Sequence, residues 1–355
     1  MNQNSKVSKI VQIWLIIGLV MIFFQVVIGG VTRLTDSGLS ITEWSVIQGT
    51  LPPMNTAEWE EAFELYKVHA KKQYESLHGD MNLSEFKFIF FWEYFHRLWA
   101  RLMGFVFIIP FVIFNIRGMM PRWLNIRLGI VILLAAAVAV FGWIMVKSGL
   151  NSDKRTWVSA YKLITHLGLA AALFCYLFWT WLKSSQIALD EGNKKLHKIG
   201  WGVAGLLMIQ ILFGGLMAGM RAGLIHAYWP FFVNGDRLLL ALSDSSEVDS
   251  FIDYEASLRV KAIVQVLHRF TAYFLTAVVV WFAMKLKGSG NRKIRVGVGL
   301  LITLLITQFS LGILTIVNAV GSIPIGYGAL HQCVSLLLFA SLLYIIYHLK
   351  PRLST

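Results

Sequence analysis

Two cysteines in 355 residues, Cys175 and Cys333, both inside long apolar runs, leave nothing from which to build a disulfide framework. Neither long polar connection contains a cysteine, so the two thiols read as packing groups. Charge is scarce as well. Asp, Glu, Lys and Arg make up 14% of the chain against 57% hydrophobic residues, too little polar surface to clothe a water-soluble globule. The sequence is that of an integral membrane protein. Acids are scarcest in one set of connections, the set in which Lys and Arg are in excess.

Apolar runs long enough to cross a bilayer core fall at 13–32, 95–116, 124–146, 161–182, 199–220, 260–284, 296–317 and 326–347, which makes eight helices. The chain ends and even-numbered connections carry 16 Lys and Arg against two acids, whereas the opposite connections carry 13 against 16. Positive loops stay on the cytoplasmic or matrix side, so both termini are expected inside and the segments 33–90 and 221–260 outside. The net charge of +13 is accounted for in this way. Spread over short loops and two ends, it makes no basic face for nucleic acid. The run 13–32 is too long for a signal-peptide core and lacks a small-residue cleavage site, so it is expected as a retained helix. The short stretch before it is not an Arg-rich, Ser-rich presequence, which favours a bacterial inner membrane over a mitochondrial one.

The first four helices and the last four read as two copies of one unit. Gln25-Val-Val-Ile-Gly29-Gly30 recurs as Gln210-Ile-Leu-Phe-Gly214-Gly215, each followed by an arginine, Arg33 or Arg221. Tyr94-Phe95-His96-Arg97 recurs as Val266-Leu267-His268-Arg269, and Thr165-His166-Leu167 as Leu330-His331-Gln332. The fold expected is all-α: two tandem four-helix bundles, 1–190 and 191–355, related by internal duplication. The four histidines lie near the outer ends of even-numbered helices, one pair per half. A histidine in lipid is costly without a partner, and four at repeated positions call for a common ligand. Imidazole is the usual axial ligand of heme iron, and two parallel helices of a bundle can clamp a porphyrin between them. The double glycines have two readings of equal standing, room for a flat macrocycle or ordinary close helix packing. His69, His78, His197, His226 and His348 are expected to be solvated or interfacial.

Glu93, Arg97, Arg101 and Arg269 are charges at or inside span boundaries, where a charge implies a partner or a function. Glu93 precedes His96 by three residues and so shares its helix face. It reads either as a carboxylate over the edge of a macrocycle or as an ion-pair partner of Arg97 at i, i+4. Arg97 and Arg269, each directly after a histidine, read as propionate partners or as side chains snorkelling to the interface.

These residues resemble the heme A synthases, in the branch that includes the mitochondrial enzyme and many Gram-negative ones. The resemblance covers the whole chain. Its most specific stretch runs Gly29-Gly30-Val-Thr-Arg33-Leu-Thr-Asp36-Ser-Gly38-Leu-Ser-Ile-Thr-Glu43-Trp44, followed by Gly49-Thr-Leu-Pro52-Pro53-Met-Asn55 and Glu85-Phe-Lys87-Phe-Ile-Phe-Phe-Trp92-Glu93-Tyr-Phe-His96-Arg97. It implies oxidation of the C8 methyl of heme O, through a hydroxymethyl, to the formyl of heme A for terminal oxidases. It also implies a substrate site in the N-terminal half flanked by His96 and His166, heme b on His268 and His331 in the C-terminal half, and Glu93 as the catalytic carboxylate. Some relatives carry a cysteine pair in the first outer segment; this chain does not, which excludes a thiol relay there. The segment 33–90, with five Lys and Arg against nine acids, is expected to fold over the N-terminal site as a lid. Membrane lipid, a quinol- or ferredoxin-type electron donor and contact with a heme O synthase complete the expected partners. The competing readings are a non-catalytic di-heme cytochrome b-type electron carrier and a heme transporter. One conflict stands: if His96 and His166 both ligate iron, no axial position is left for oxygen.

Overall fold

The computed structural model describes residues 7–42, 51–151, 156–185, 192–230, 236–244 and 257–351. Glu43, Trp44 and Gly49 of the first outer motif lie outside the described residues. Among the described residues, eight helices are long and apolar enough to cross a membrane: α1 (Lys9–Leu34), α4 (Leu83–Ile116), α5 (Arg122–Lys147), α6 (Ala160–Ser184), α7 (Lys194–Gly219), α9 (Leu258–Leu286), α10 (Arg292–Val317) and α11 (Ile325–His348). Three short helices lie between them: α2 (Thr56–His69), α3 (Lys71–Leu77) and α8 (Asp236–Ser243). Among the described residues there is no strand.

Asparagines start several of these helices by accepting from backbone N–H groups that have no intrahelical partner. Asn55 caps α2, Asn193 caps α7 and Asn291 caps α10. At α4 the cap is reciprocal. Asn82 Oδ1 accepts from the N–H groups of Ser84 and Glu85 at 2.9 and 3.1 Å, and Glu85 Oε2 accepts from Asn82 N–H at 2.9 Å. This box begins α4 at Leu83, well before the apolar run at 95–116, because a hydropathy window discounts turns that carry Glu85, Lys87 and Glu93. His96 therefore lies more than three turns inside its helix, rather than near its end.

The helical extension gives the first outer segment something to pack on. Phe63 of α2 stacks on Phe86 of α4 with ring centroids 4.9 Å apart, and Leu39, Tyr66, Ile89, Phe90 and Val158 close a dry cluster around them. The Tyr66 hydroxyl meets His78 Nδ1 at 2.6 Å. Burial pushes the Tyr66 phenol up and the His78 imidazole below its ordinary value, so both stay neutral partners near pH 7. Phe86 is fully buried. Phe86→Ala is expected to cost about 3–5 kcal/mol of local stability. Limited proteolysis should then cut within α2 and α3 while the spans stay intact, and an unchanged cleavage pattern would show that the segment is held by something else.

The two halves pack in corresponding ways. Within the first, α1 packs on α4 and α6, and α5 on α6; within the second, α7 packs on α9 and α11, and α10 on α11. Between halves, α1 meets α11 just as α7 meets α6, and α6 meets α11. The inner helices are accordingly the most buried, with 56% of the apolar window of α11 enclosed against 6% for α4 or α5, whose sides face outward.

The arginines that follow the double glycines tie the halves together at the outer end. Arg33 donates to the carbonyl of Ala218 at the end of α7, and Arg221, which lies over the Trp157 ring, pairs with Asp36 just beyond α1. Two expectations need correction. His226 is 2% exposed and His348 fully buried, neither solvated nor interfacial. His226 lies under the extended start of α9, and His348 packs edge-on to Tyr344 at 4.6 Å. Cys175 and Cys333 are unpaired, inside α6 and α11.

Candidate functional site

Each of the four histidines packs over a glycine of the neighbouring helix. A Cβ placed on Gly29 of α1 would come within 3.0 Å of His96 Nε2, and one on Gly214 of α7 within 3.4 Å of His268 Cε1. On the other side of each bundle, a Cβ on Gly142 of α5 would lie 2.9 Å from His166 Cε1, and one on Gly312 of α10 would lie 3.0 Å from His331 Cε1. At Gly29, Gly142 and Gly312 the missing side chain is what admits the ring, whereas at Gly214 a Cβ would make ordinary contact. The double glycines thus divide their work. Gly29 and Gly214 lie under imidazoles, whereas Gly30 and Gly215 serve close packing between halves, against Gln332 of α11 and against Ile164 and Leu167 of α6.

Two rings are oriented by helix carbonyls. His166 Nδ1–H donates to Val138 O at 2.9 Å and His331 Nδ1–H to Gln308 O at 3.1 Å, each acceptor four residues before the glycine under the ring. A carbonyl can only accept, so the proton sits on Nδ1 and Nε2 carries the lone pair. An outer acceptor of this kind orients metal-ligating histidines. The His268 and His331 ring centroids are 6.5 Å apart. That suits two imidazoles on opposite sides of one metal atom, given metal–nitrogen bonds of about 2 Å. His96 and His166 lie within electrostatic reach of each other. Gln308 Nε2 approaches His331 Nε2 at 3.3 Å, and the buried amide oxygens of Gln25, Gln210 and Gln308 have no hydrogen-bond partner among the described residues. Such orphaned acceptors beside the rings fit a site built for a guest. Among the described residues no three His, Cys, Asp or Glu come together as a metal cluster. An iron held here would bring its equatorial ligands with it, as a porphyrin does. The residues fit the group.

Glu93, 3% exposed, is fully engaged. Its Oε2 accepts from Ser40 Oγ and from the Ile41 N–H, both at 2.8 Å, and its Oε1 accepts from Arg97 Nη2 at 2.5 Å. The ion-pair reading of the sequence is thus realised, and the carboxylate also clasps the chain beyond α1. Arg97 donates as well to Ile41 O at 3.0 Å, and Arg269 correspondingly to Tyr228 O. Both arginines hold the outer segments, a role that neither the propionate nor the snorkelling reading contained.

The duplication exposes a difference that the motif comparison passed over. The residue three before His268 is Gln265, fully buried, whose Nε2 donates to His226 O at 2.8 Å. Glu93 and Gln265 therefore pin equivalent segments, but only one can ionise. Gly142 and Gly312 also escaped the sequence reading. Their signal is a glycine five residues before the end of the third membrane-spanning helix of each half, easily lost among the 29 glycines of the chain.

A family profile described as cytochrome oxidase assembly protein matches residues 12–343. Proteins named heme A synthase are similar along nearly the whole chain. That of Flavobacterium psychrophilum is 35% identical over 345 residues, covering 96% of this chain and 98% of the relative. That of Nitrosospira multiformis is 37% identical over 362 residues, covering 99% and 96%. That of a Caulobacter species is 38% identical over 346 residues, covering 95% of each. Four repeated imidazole sites in an eight-span bundle and this full-length similarity point the same way: the chain belongs to the cytochrome oxidase assembly family that contains the heme A synthases.

Proposed function

We propose that this protein is a heme A synthase, a membrane oxidoreductase that converts the C8 methyl of heme O to the formyl of heme A. Heme O is the substrate. In this reading it lies between His96 and His166 in the half spanning 1–190, and heme b is held by His268 and His331 in the half spanning 191–355. The observation that carries it is the pairing of four imidazole-over-glycine sites with an ionisable residue, Glu93, beside one histidine, where its counterpart Gln265 is neutral. An electron carrier or a heme transporter would need no such difference.

Taking a methyl to an aldehyde removes four electrons and adds one oxygen atom, and with water as the oxygen donor four protons leave, so the site needs electron traffic and a proton acceptor at the ring edge. Heme b, when bound, supplies an iron that exchanges single electrons. The chain's residues do the rest. His166 and His96 orient the substrate, and Glu93 takes protons through Ser40, the one partner of its carboxylate whose hydroxyl both donates and accepts. Arg97 and Arg269 bond to carbonyls of the outer segments, and a guanidinium with five donors retains capacity to fork onto a propionate. The packed α2–α3 segment keeps water from the outer end of α4. An electron donor of quinol or ferredoxin type, hand-over from a heme O synthase and a bacterial inner membrane belong to the same proposal; the Lys and Arg bias of the loops supports only the orientation, with both termini cytoplasmic.

Pigment extraction from cells expressing the chain together with a heme O synthase tests this directly. Formyl heme is expected in the extract. Recovery of heme O and heme b alone would favour a carrier or transporter and end the enzyme reading.

A further inference from the structure

The four rings are not held alike. Resting on the reading above, we propose that His166 is the fixed axial ligand of the substrate iron and that His96 is the ligand that lets go. His166 is positioned from two sides, by the Val138 carbonyl at Nδ1 and by Gly142 beneath the ring. His331 has the same support from Gln308 O and Gly312. His268 lacks a carbonyl acceptor, but the Gln210 amide reaches both its Nδ1 at 3.1 Å and its backbone oxygen at 3.0 Å. The ring of His96 has no hydrogen-bond partner among the described residues. Gln25, the counterpart of Gln210, donates at 3.2 Å to the His96 carbonyl and leaves the ring alone.

An imidazole whose Nδ1–H is held by an acceptor is fixed in tautomer and angle and is the stronger base toward a metal. One without that bond keeps its rotational freedom and is the weaker ligand. His96 is also the histidine beside Glu93, so the ligand that yields stands next to the group proposed to take protons. In the exchange the His96 Nε2–iron bond breaks with its electron pair remaining on nitrogen, and a small neutral ligand donates its own pair in its place. Nothing is oxidised or reduced. This removes the conflict between two axial histidines and access to the iron: one of the two is permanent and the other conditional.

The test uses full-length protein purified with its hemes from cells that make heme O, reduced, and exposed to carbon monoxide as the probe ligand. His96→Ala is expected to retain heme O within about twofold, to show a five-coordinate high-spin spectrum and to bind carbon monoxide at once. His166→Ala is expected to lose heme O by about tenfold or more, the scale of removing an orienting support together with its ligand. Heme b in the C-terminal pair reports that each variant has folded. Gentler variants serve if either fails that check. Gly142→Ala, which crowds His166, should speed the loss of heme O, and Gly29→Ala, which crowds His96, should speed carbon monoxide binding without heme loss. Equal retention in the two alanine variants, or loss from His96→Ala with retention in His166→Ala, overturns the proposal while leaving the assigned function standing. Absence of heme O from the unmodified protein would overturn the function itself.

Discussion

Replacing Glu93 by Gln is expected to leave both hemes in place and to cut heme A output by about a hundredfold or more, the scale of losing a positioned proton acceptor. The substitution keeps size and shape. A glutamine oxygen still accepts from Ser40 and Ile41, and the second half of the chain already carries Gln265 at this place without losing its clasp on the segment after α7. What disappears is the charge that faces Arg97. Removing one partner of a buried ion pair costs about 3–5 kcal/mol in general, so heme content and thermal stability should be measured beside the extracted heme A. Unchanged heme A would remove Glu93 from the chemistry, and a variant that accumulates but holds no heme O would make it an anchor of the outer segment instead.

Gly312→Val is expected to empty the C-terminal pair. A Cβ there stands 3.0 Å from His331 Cε1, already tighter than ordinary contact, and the branched side chain must occupy the space the ring now fills. The ring would be driven from the Gln308 carbonyl, losing orientation and ligand strength together. Bound heme b is expected to fall by at least about tenfold, read from the absorbance of the purified, reduced protein. Gly299, on the same helix, meets nothing within 4 Å, so Gly299→Ala is the matched control and should hold its heme. Full heme content in Gly312→Val would mean that His331 is not a ligand in the folded protein.

Much of this architecture is legible in the sequence because lipid allows few solutions. A run such as 296–317 has to be a helix, since its backbone groups find partners only within it. Duplication adds the second layer: His96 and His268 appear at once when Tyr94–Arg97 is laid on Val266–Arg269. The start of α4 is hidden, because its first turns carry Glu85 and Lys87 and lie outside any hydropathy window. The histidine supports are hidden for a different reason. Val138 and Gln308 act through backbone carbonyls, which leave no trace in residue identity, and Gly142 and Gly312 matter only for what lies opposite them. His226 was misread because a polar side chain in a connecting segment suggests solvent, whereas Gln265 draws that segment down beneath α9. The charge-bearing residues are legible from their places at the span boundaries, but their hydrogen-bond partners, Ser40, Ile41 and Tyr228, come only from the folded chain.

The second glycine of each doublet makes the two halves depend on each other. Gln332, next to His331, donates to Val26 O at 3.0 Å and presses on Gly30, the neighbour of the glycine under His96; Leu167, next to His166, presses on Gly215, the neighbour of the glycine under His268. Each half thus packs against the glycine doublet of the other. The two are interlocked, and expressing either half alone would uncover a seam of small residues that has lost its complement.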